Sequence, residues 1–392
     1  MSTVRLTAKG RRWIEGGHPW IYRDDLASAE AEGGALVAVE DAQGRVLGWG
    51  TYSERSRIAV RLVTREAREP DAAFWRERVA RAVALRTALG LAARDGAARL
   101  VAGDADGVPG LVVDRYASVL VVQSGTLAAD RLVPVVLGAL REELGTPVEA
   151  VLERSDSGVR KLEGLEERKV LLEGRLPAEL LVREDALVYE VDVLAGHKTG
   201  HYLDQRENRR RAAARARGRS VLDVFSYDGL FGVRAALAGA ERVVCVDQSA
   251  QALERARRNA RRNGVEERLG FEKADALDDL RARAGRGEQW GLVIVDPPAF
   301  AKNRAQVEGA MRGYVELNRR ALEIAAAGGE LVSASCSYNL RAWEFVDLLA
   351  QASAAAKRPA WLEELAGAAS DHPHLLTLPE THYLKCAFVR VG

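Results

Sequence analysis

Two residues in the C-terminal half of this sequence could make and break bonds to carbon. They are Cys336, set between Ser335 and Ser337, and Asp296, followed by Pro297 and Pro298. Each stands where an apolar run ends: GLVIV before Asp296, and ELVSAS before Cys336. A cysteine so placed is either a buried core thiol, the usual state of free cysteine, or a nucleophile. The chemistry that demands a nucleophile is specific. Carbon 5 of cytosine attacks poorly, and a thiolate added at carbon 6 converts the ring into an enamine that can attack a sulfonium methyl. Methylation of an exocyclic amine needs no such help and would leave Cys336 a bystander. Two prolines after a buried strand give a rigid exit with no backbone donors, an edge on which Asp296 could hold a planar base. Cys245 and Cys386 fall inside apolar runs and read as structural.

The methyl donor is suggested by the stretch VLDVFSYDGLFGVRAALAGAERVVCVD, Val221 to Asp247. It reads as strand, tight turn, helix and strand, the first half of a doubly wound parallel sheet. Gly229 lets a ligand approach the backbone, and Asp247 stands where a carboxylate takes two ribose hydroxyls. A dinucleotide fingerprint would place glycines early in the turn to cradle pyrophosphate. Here Phe225, Ser226 and Tyr227 occupy those places, and Asp223 would repel a phosphate while suiting a cationic amino group. S-adenosylmethionine has an adenosine, an amino group and no phosphate. Strand ends of such a sheet face one crevice, so Asp223, Asp247, Asp275 and Asp296 are expected on one rim, with Asp275 toward the adenine.

These residues need a scaffold, and at 392 residues two or three domains are expected. The net charge of +1 announces no polyanionic partner, and the 47% hydrophobic fraction supports full cores. Three cysteines without paired spacing, and no apolar run of about 18 residues, point to a soluble protein of a reducing cytoplasm. Residues 1–70 show short strands with polar turns and fit a small β-barrel. The leading GRRWIEGGHPWIYRDDL mixes Arg11, Arg12 and Arg23 with Trp13, Trp20 and Tyr22; such a mixture either holds RNA or is core and solvated surface. Residues 71–185 read as an α+β unit opened by a helix with Asp71 as N-cap and Gly90 at its end. Asp104 and Asp106 do not make a calcium loop, because Gly107 comes two positions early, so the segment reads as a turn. Residues 186–392 carry the doubly wound unit: a strand over Ala186 to Leu194, a polar loop holding Lys198, Thr199 and Tyr202, and a helix from Ser249 to Gly264.

The motifs KTGHYLDQRENR, VLDVFSYDGLFG, VDPPAF, SCSY, DHP and HYLKCAFVRV, with GRRWIEGGHPW and GDADGVPGLVVDRY before them, occur in one order along nearly the whole chain. In this the sequence resembles the bacterial large-subunit ribosomal RNA cytosine-5 methyltransferases. The resemblance implies an α/β protein with a class I, Rossmann-like methyltransferase domain of mostly parallel sheet, an N-terminal PUA-type barrel and a small α+β middle domain. It implies S-adenosylmethionine as cofactor and no metal. Cys336 would be the nucleophile and Asp296 would bond the cytosine edge. Asp223, Phe225, Ser226, Tyr227, Gly229, Asp247 and Asp275 would surround the cofactor, with Lys198, Thr199 and Tyr202 closing over it. Arg11, Arg12, Trp20, Arg23, Pro297 and Pro298 would meet RNA. Ribosomal RNA is the implied partner, with a homodimer left open and no membrane. Two departures matter: Ala299 stands where many relatives have Lys, and Pro298 and Ala299 fill the place of a product-releasing cysteine. The base for the carbon-5 proton is thus unassigned, with His372 of DHP as a candidate. The rival readings are an amino-group methyltransferase and an RNA-binding assembly protein without activity.

Overall fold

The computed structural model of the chain describes residues 2–300 and 307–392. The chain divides into two compact units, one of Met1–Val182, Val191–Leu203 and Ser370–Thr381, the other of Arg183–Glu190, Asp204–Ala369 and His382–Gly392.

The first unit opens with β1 (Thr3–Leu6), α1 (Ala8–Glu15), β2 (Trp20–Tyr22), β3 (Leu26–Glu30), β4 (Leu36–Glu40), β5 (Val46–Tyr52) and β6 (Ile58–Thr64). These strands form one six-stranded sheet in the order β2-β6-β5-β4-β1-β3. Register shifts at Val39/Glu40 and Trp49/Gly50 let it coil. Gly48, at φ 151°, sits where a Cβ would lie 2.2 Å from the Thr64 carbonyl oxygen, so the crossing strand needs glycine there. Val4, Leu6, Ile14, Ile21, Val37, Val39 and Val60 fill its core. Helix α1 was not expected from the sequence; Thr7 caps it by accepting from Gly10 N at 3.0 Å.

After α2 (Ala72–Ala88) come β7 (Ala97–Ala102), β8 (Leu111–Tyr116), β9 (Val119–Ser124), α3 (Leu127–Leu144), β10 (Ala150–Ser155), α4 (Val159–Leu162) and β11 (Arg168–Gly174). They build a five-stranded sheet ordered β11-β10-β9-β8-β7. Asp71 caps α2 as expected, accepting from Phe74 N at 2.9 Å. Gly103–Asp106 is a tight 3-10 turn closed by Gly107 in the left-handed region, and Asp106 pairs with the fully buried Arg86 at 2.8 Å. Strands β12 (Leu181–Glu184) and β13 (Leu187–Glu190) pair as a ribbon, so the strand expected to reach Leu194 stops at Glu190. The physical reason lies in Asp192, whose Oδ1 accepts from Leu194 N and Ala195 N and bends the chain into a turn.

The second unit continues with α5 (Arg206–Ala214), β14 (Ser220–Val224), α6 (Leu230–Leu237), β15 (Arg242–Asp247), α7 (Ala250–Arg262), β16 (Leu269–Lys273), α8 (Ala276–Gly285) and β17 (Trp290–Val295). It ends with α9 (Val307–Ile324), β18 (Ala325–Ser335), α10 (Ala342–Ala356), β19 (Ala360–Ala366) and β20 (Lys385–Val391). The seven strands run β16-β15-β14-β17-β18-β20-β19, with the first five mutually parallel and β20 antiparallel to both of its neighbours, β18 and β19. This is a Rossmann-like sheet. Leu222, Val224, Val293, Val295 and Leu331 are wholly buried, as expected for strands covered on both faces. Each such side chain contributes about 1.5–3 kcal/mol by leaving water.

Candidate active site

The turn after β14 is built from strained backbone. Phe225 and Tyr227 hold positive φ of 62° and 50°, and Gly229 follows at 76°. Non-glycine residues in this region cost of order 1 kcal/mol or more, and such strain clusters where a ligand is held. Fixed bonds oppose it: Ser226 N donates to Val246 O at 3.0 Å, and Tyr227 N to Asp247 Oδ2 at 2.9 Å. A Cβ on Gly229 would stand 2.7 Å from Ala256 Cβ, and one on Gly232 would stand 2.6 Å from Cys245 Sγ. Helix α6 therefore lies hard against β15, and its Gly232 N–H reaches Asp223 Oδ2 at 3.0 Å.

Charge at this rim is one-sided. Burial pushes the Asp223 carboxyl well above its usual range, the Gly232 N–H opposes this, and Asp296, Asp247 and Asp228 push it up further. A rim where carboxylates already repel one another favours a cation and disfavours a phosphate. The donor set thus fits a sulfonium nucleoside with a free ammonium. Asp247 is half-buried, and its Oδ1 also accepts from Ser249 N at 2.8 Å. Asp275 is exposed and caps α8, its Oδ1 accepting from Leu277 N and Asp278 N. Cys245 is wholly buried, with its thiol pushed up by burial and by Asp223, as a structural cysteine would be.

Asp296 leaves β17 and Cys336 leaves β18, neighbouring parallel strands whose register sets Val295 beside Ser333. Gln205 Nε2 donates to Asp296 Oδ2 at 2.9 Å, and Asn208 Nδ2 in turn donates to Gln205 Oε1 at 2.7 Å. Both amides are buried, so this relay fixes the carboxylate. Pro297 is buried and Pro298 exposed, while Cys336 is half-buried. Beneath Cys336, Ser335 Oγ donates to the Tyr314 hydroxyl at 3.0 Å and accepts from Ser337 N at 3.3 Å. The Tyr314 hydroxyl is pushed up to about 12, chiefly by burial and also by Cys336 and Asp296. Lys385 completes the group: its Nζ donates to Ser337 O at 2.7 Å and Tyr383 O at 2.8 Å. Sequence reasoning missed Gln205, Asn208, Tyr314 and Lys385 as site residues. Gln205 and Asn208 do lie in KTGHYLDQRENR and Lys385 in HYLKCAFVRV, but only the folded chain reveals what they touch.

The other expected residues belong to the first unit. Lys198 is exposed and lies over the Tyr202 ring at 4.6 Å; the Tyr202 hydroxyl meets His197 Nδ1 at 2.8 Å. Thr199 is wholly buried, donating to Asp114 Oδ2 at 2.5 Å and meeting the Tyr116 hydroxyl at 2.9 Å. Arg11 pairs with Glu15 at 2.8 Å, and Arg12 is exposed. Arg23 donates to Ser53 O and Ser56 O, while Trp20 Nε1 donates to Asp104 at 2.7 Å. His372 is buried beside Asp371, with Nδ1 2.9 Å from its Oδ1. Among the described residues no cluster could hold a metal, and no helix is long and apolar enough to cross a membrane.

Residues 4–65 match the PUA-like domain family, and residues 171–365 match the S-adenosylmethionine-dependent methyltransferase family. The chain is 39% identical to ribosomal RNA large subunit methyltransferase I of Shewanella denitrificans, over 99% of both sequences. It is equally 39% identical to the protein of that name in Shewanella amazonensis, again over 99% of each. A solved structure of a candidate SAM-dependent methyltransferase from Streptococcus mutans has the same fold, with a TM-score of 0.84 at 19% identity and all of both chains covered. Another solved candidate methyltransferase, complexed with SAH, gives 0.83 at 20% identity, also over the whole of both chains. The chain is an S-adenosylmethionine-dependent methyltransferase and belongs to the ribosomal RNA large subunit methyltransferase I family.

Proposed function

We propose that this enzyme makes 5-methylcytosine in large-subunit ribosomal RNA through a covalent adduct on Cys336. The observation that carries the reading is the delivery of Asp296 and Cys336 to one edge by adjacent parallel strands, each braced by buried polar groups. A methyltransferase acting on an amine would need the first and not the second. Ribosomal RNA as substrate rests on the names of the curated relatives and on the PUA-like match, and a cytoplasmic location follows from that substrate.

When bound, S-adenosylmethionine supplies an electrophilic methyl group on a sulfonium. Asp247 would hold the ribose hydroxyls, Asp223 the cationic amino-acid end, and Phe225, Ser226, Tyr227 and Gly229 the nucleoside against the turn, with Asp275 near the adenine. A stacked base shows neither face to the thiol, so the target cytosine must be flipped or unpaired first. Pro297 and Pro298 would guide its edge onto Asp296. Held flat by Gln205, Asp296 shares a proton with ring nitrogen 3 and polarises carbon 6 for the sulfur. The sulfur adds, carbon 5 is methylated, and loss of the carbon-5 proton expels the thiolate. Asp296 as an anion opposes ionisation of a nearby thiol, so the thiolate must be favoured by another group.

The test is product identity. Unmodified large-subunit RNA and methyl-labelled S-adenosylmethionine should yield label in 5-methylcytidine after digestion to nucleosides. Cys336→Ser should lower that rate by at least about a thousandfold, as loss of a nucleophile does. Label in an amino-methylated nucleoside, formed as fast by Cys336→Ser, would replace this reading with the amine one.

A further inference from the structure

Lys385 occupies a place that neither a core residue nor a surface lysine would take. It begins β20, directly opposite Ser335 in the antiparallel pairing with β18, and is 1% exposed. Its ammonium has three hydrogens, and carbonyl oxygens of Ser337 and Tyr383 take two of them. Among the described residues it makes no ion pair with a carboxylate. A buried cation without a nearby anion is costly, because taking a charge out of water is repaid only by an opposite charge or by hydrogen bonds. The backbone on one side of Cys336 pairs with Lys385, and the carbonyl on the other side is held by its ammonium.

We propose that Lys385 is a positioning residue that acts as counter-ion to the Cys336 thiolate, so that the nucleophile is ionised before RNA arrives. Lys385 is an ammonium throughout; the proton leaves sulfur for solvent, giving an ammonium and a thiolate in place of an ammonium and a thiol. The proposal deepens the cytosine-5 reading and rests on it for the use to which the thiolate is put. Burial draws the ammonium down to about 8, and Cys336 and then Glu344 push it back up. Among the described residues, four charged or titratable groups bear on the pair. Glu344, at the start of α10, is occupied by Arg341 N at 2.6 Å. Tyr314 on α9 stays neutral until about 12. Asp296, beyond β17, opposes the thiolate, which makes the lysine's charge the favourable term. Cys386 is wholly buried, with its thiol pushed well up by burial.

The experiment measures alkylation of Cys336 by iodoacetamide against pH in the full-length protein without RNA, read on the Cys336 peptide by mass spectrometry. The wild-type rate should titrate at least about one unit below the ordinary thiol value of about 8.5. Lys385→Met should move the midpoint above that value and slow alkylation at pH 7 at least about tenfold. Lys385→Arg, which keeps the charge, should fall between. A midpoint unchanged in a folded Lys385→Met protein would leave the lysine a mere brace for two carbonyls and overturn the proposal. Should that variant not fold, thiolate absorbance at 240 nm in wild type minus Cys336→Ser decides the matter, and a midpoint at or above the ordinary value overturns it. A low midpoint that depends on Lys385, in an enzyme that forms no 5-methylcytosine, would keep this inference and remove the cytosine-5 reading. Formation of 5-methylcytosine by a protein whose thiol is ordinary would do the reverse.

Discussion

Asp223 carries a carboxyl that burial disfavours as an anion, a cost that the proposed cationic ligand would offset. It is 1% exposed, its carboxyl is raised well above 3.8, and burial is the leading cause, with three neighbouring aspartates adding to it. A carboxyl with a folded pKa above its unfolded one contributes stability that is fully present below the unfolded value and lost as pH rises through the folded one. At neutral pH the ligand-free protein therefore carries this cost, and a cationic ligand held there, as proposed, would relieve it. Asparagine can still accept the Gly232 N–H without the charge. Asp223→Asn should melt higher than wild type at pH 7 when ligand-free, lose that advantage toward pH 4, and bind S-adenosylmethionine at least about tenfold more weakly, since a charge-assisted bond contributes roughly 1.5–3 kcal/mol. Equal melting at all pH values would show that Asp223 carries no such cost. The place of Asp223 near the end of a buried strand was legible in the sequence. Its partners were not. Gln205 and Asn208 look like any polar helix residues until Gln205 is seen to grip Asp296 across 91 positions of chain.

At the scale of elements, the parallel core could be read because its strands are continuous apolar runs ended by carboxylates, as in VLDV and GLVIVD. Caps were legible for the same local reason: Ser249 starts α7 by accepting from Ala252 N, and Asp71 starts α2. The antiparallel edge was not. Pairing of β18 with β20 joins Ser335 to Lys385, and no local pattern announces a contact of that span. Strand β11 also escaped notice, since its side chains are mostly exposed and show no alternation. The turn between β14 and α6 is the element on which the cofactor reading depends most. Gly229→Ala would combine a left-handed φ of 76° with a methyl group 2.7 Å from Ala256. We expect it to destabilise the protein by about 1–3 kcal/mol in urea titrations and to weaken S-adenosylmethionine binding. Stability and affinity both unchanged would mean that the turn is looser than its backbone indicates.

The whole molecule joins a PUA-like N-terminal segment to a methyltransferase domain in one chain, and its relatives match it from end to end. The near-zero net charge gave no hint of a polyanionic substrate, because acidic and basic residues number 56 and 57. Balance in the total conceals where the charges lie, and in this chain many arginines are consumed internally. Arg86, Arg115, Arg160, Arg206 and Arg209 are almost wholly buried. Substrate choice must then rest on local surfaces and on the chemistry of the rim, where the central claim is covalent catalysis by Cys336. The most direct test offers the intact enzyme and S-adenosylmethionine a large-subunit RNA carrying 5-fluorocytosine, whose carbon 5 has no proton to lose once methylated. Wild-type protein should be trapped as an RNA adduct that survives a denaturing gel, with the link mapped to Cys336. Cys336→Ala should form none. An adduct of equal yield in Cys336→Ala, or none in a wild-type protein that turns over normal RNA, would contradict the account.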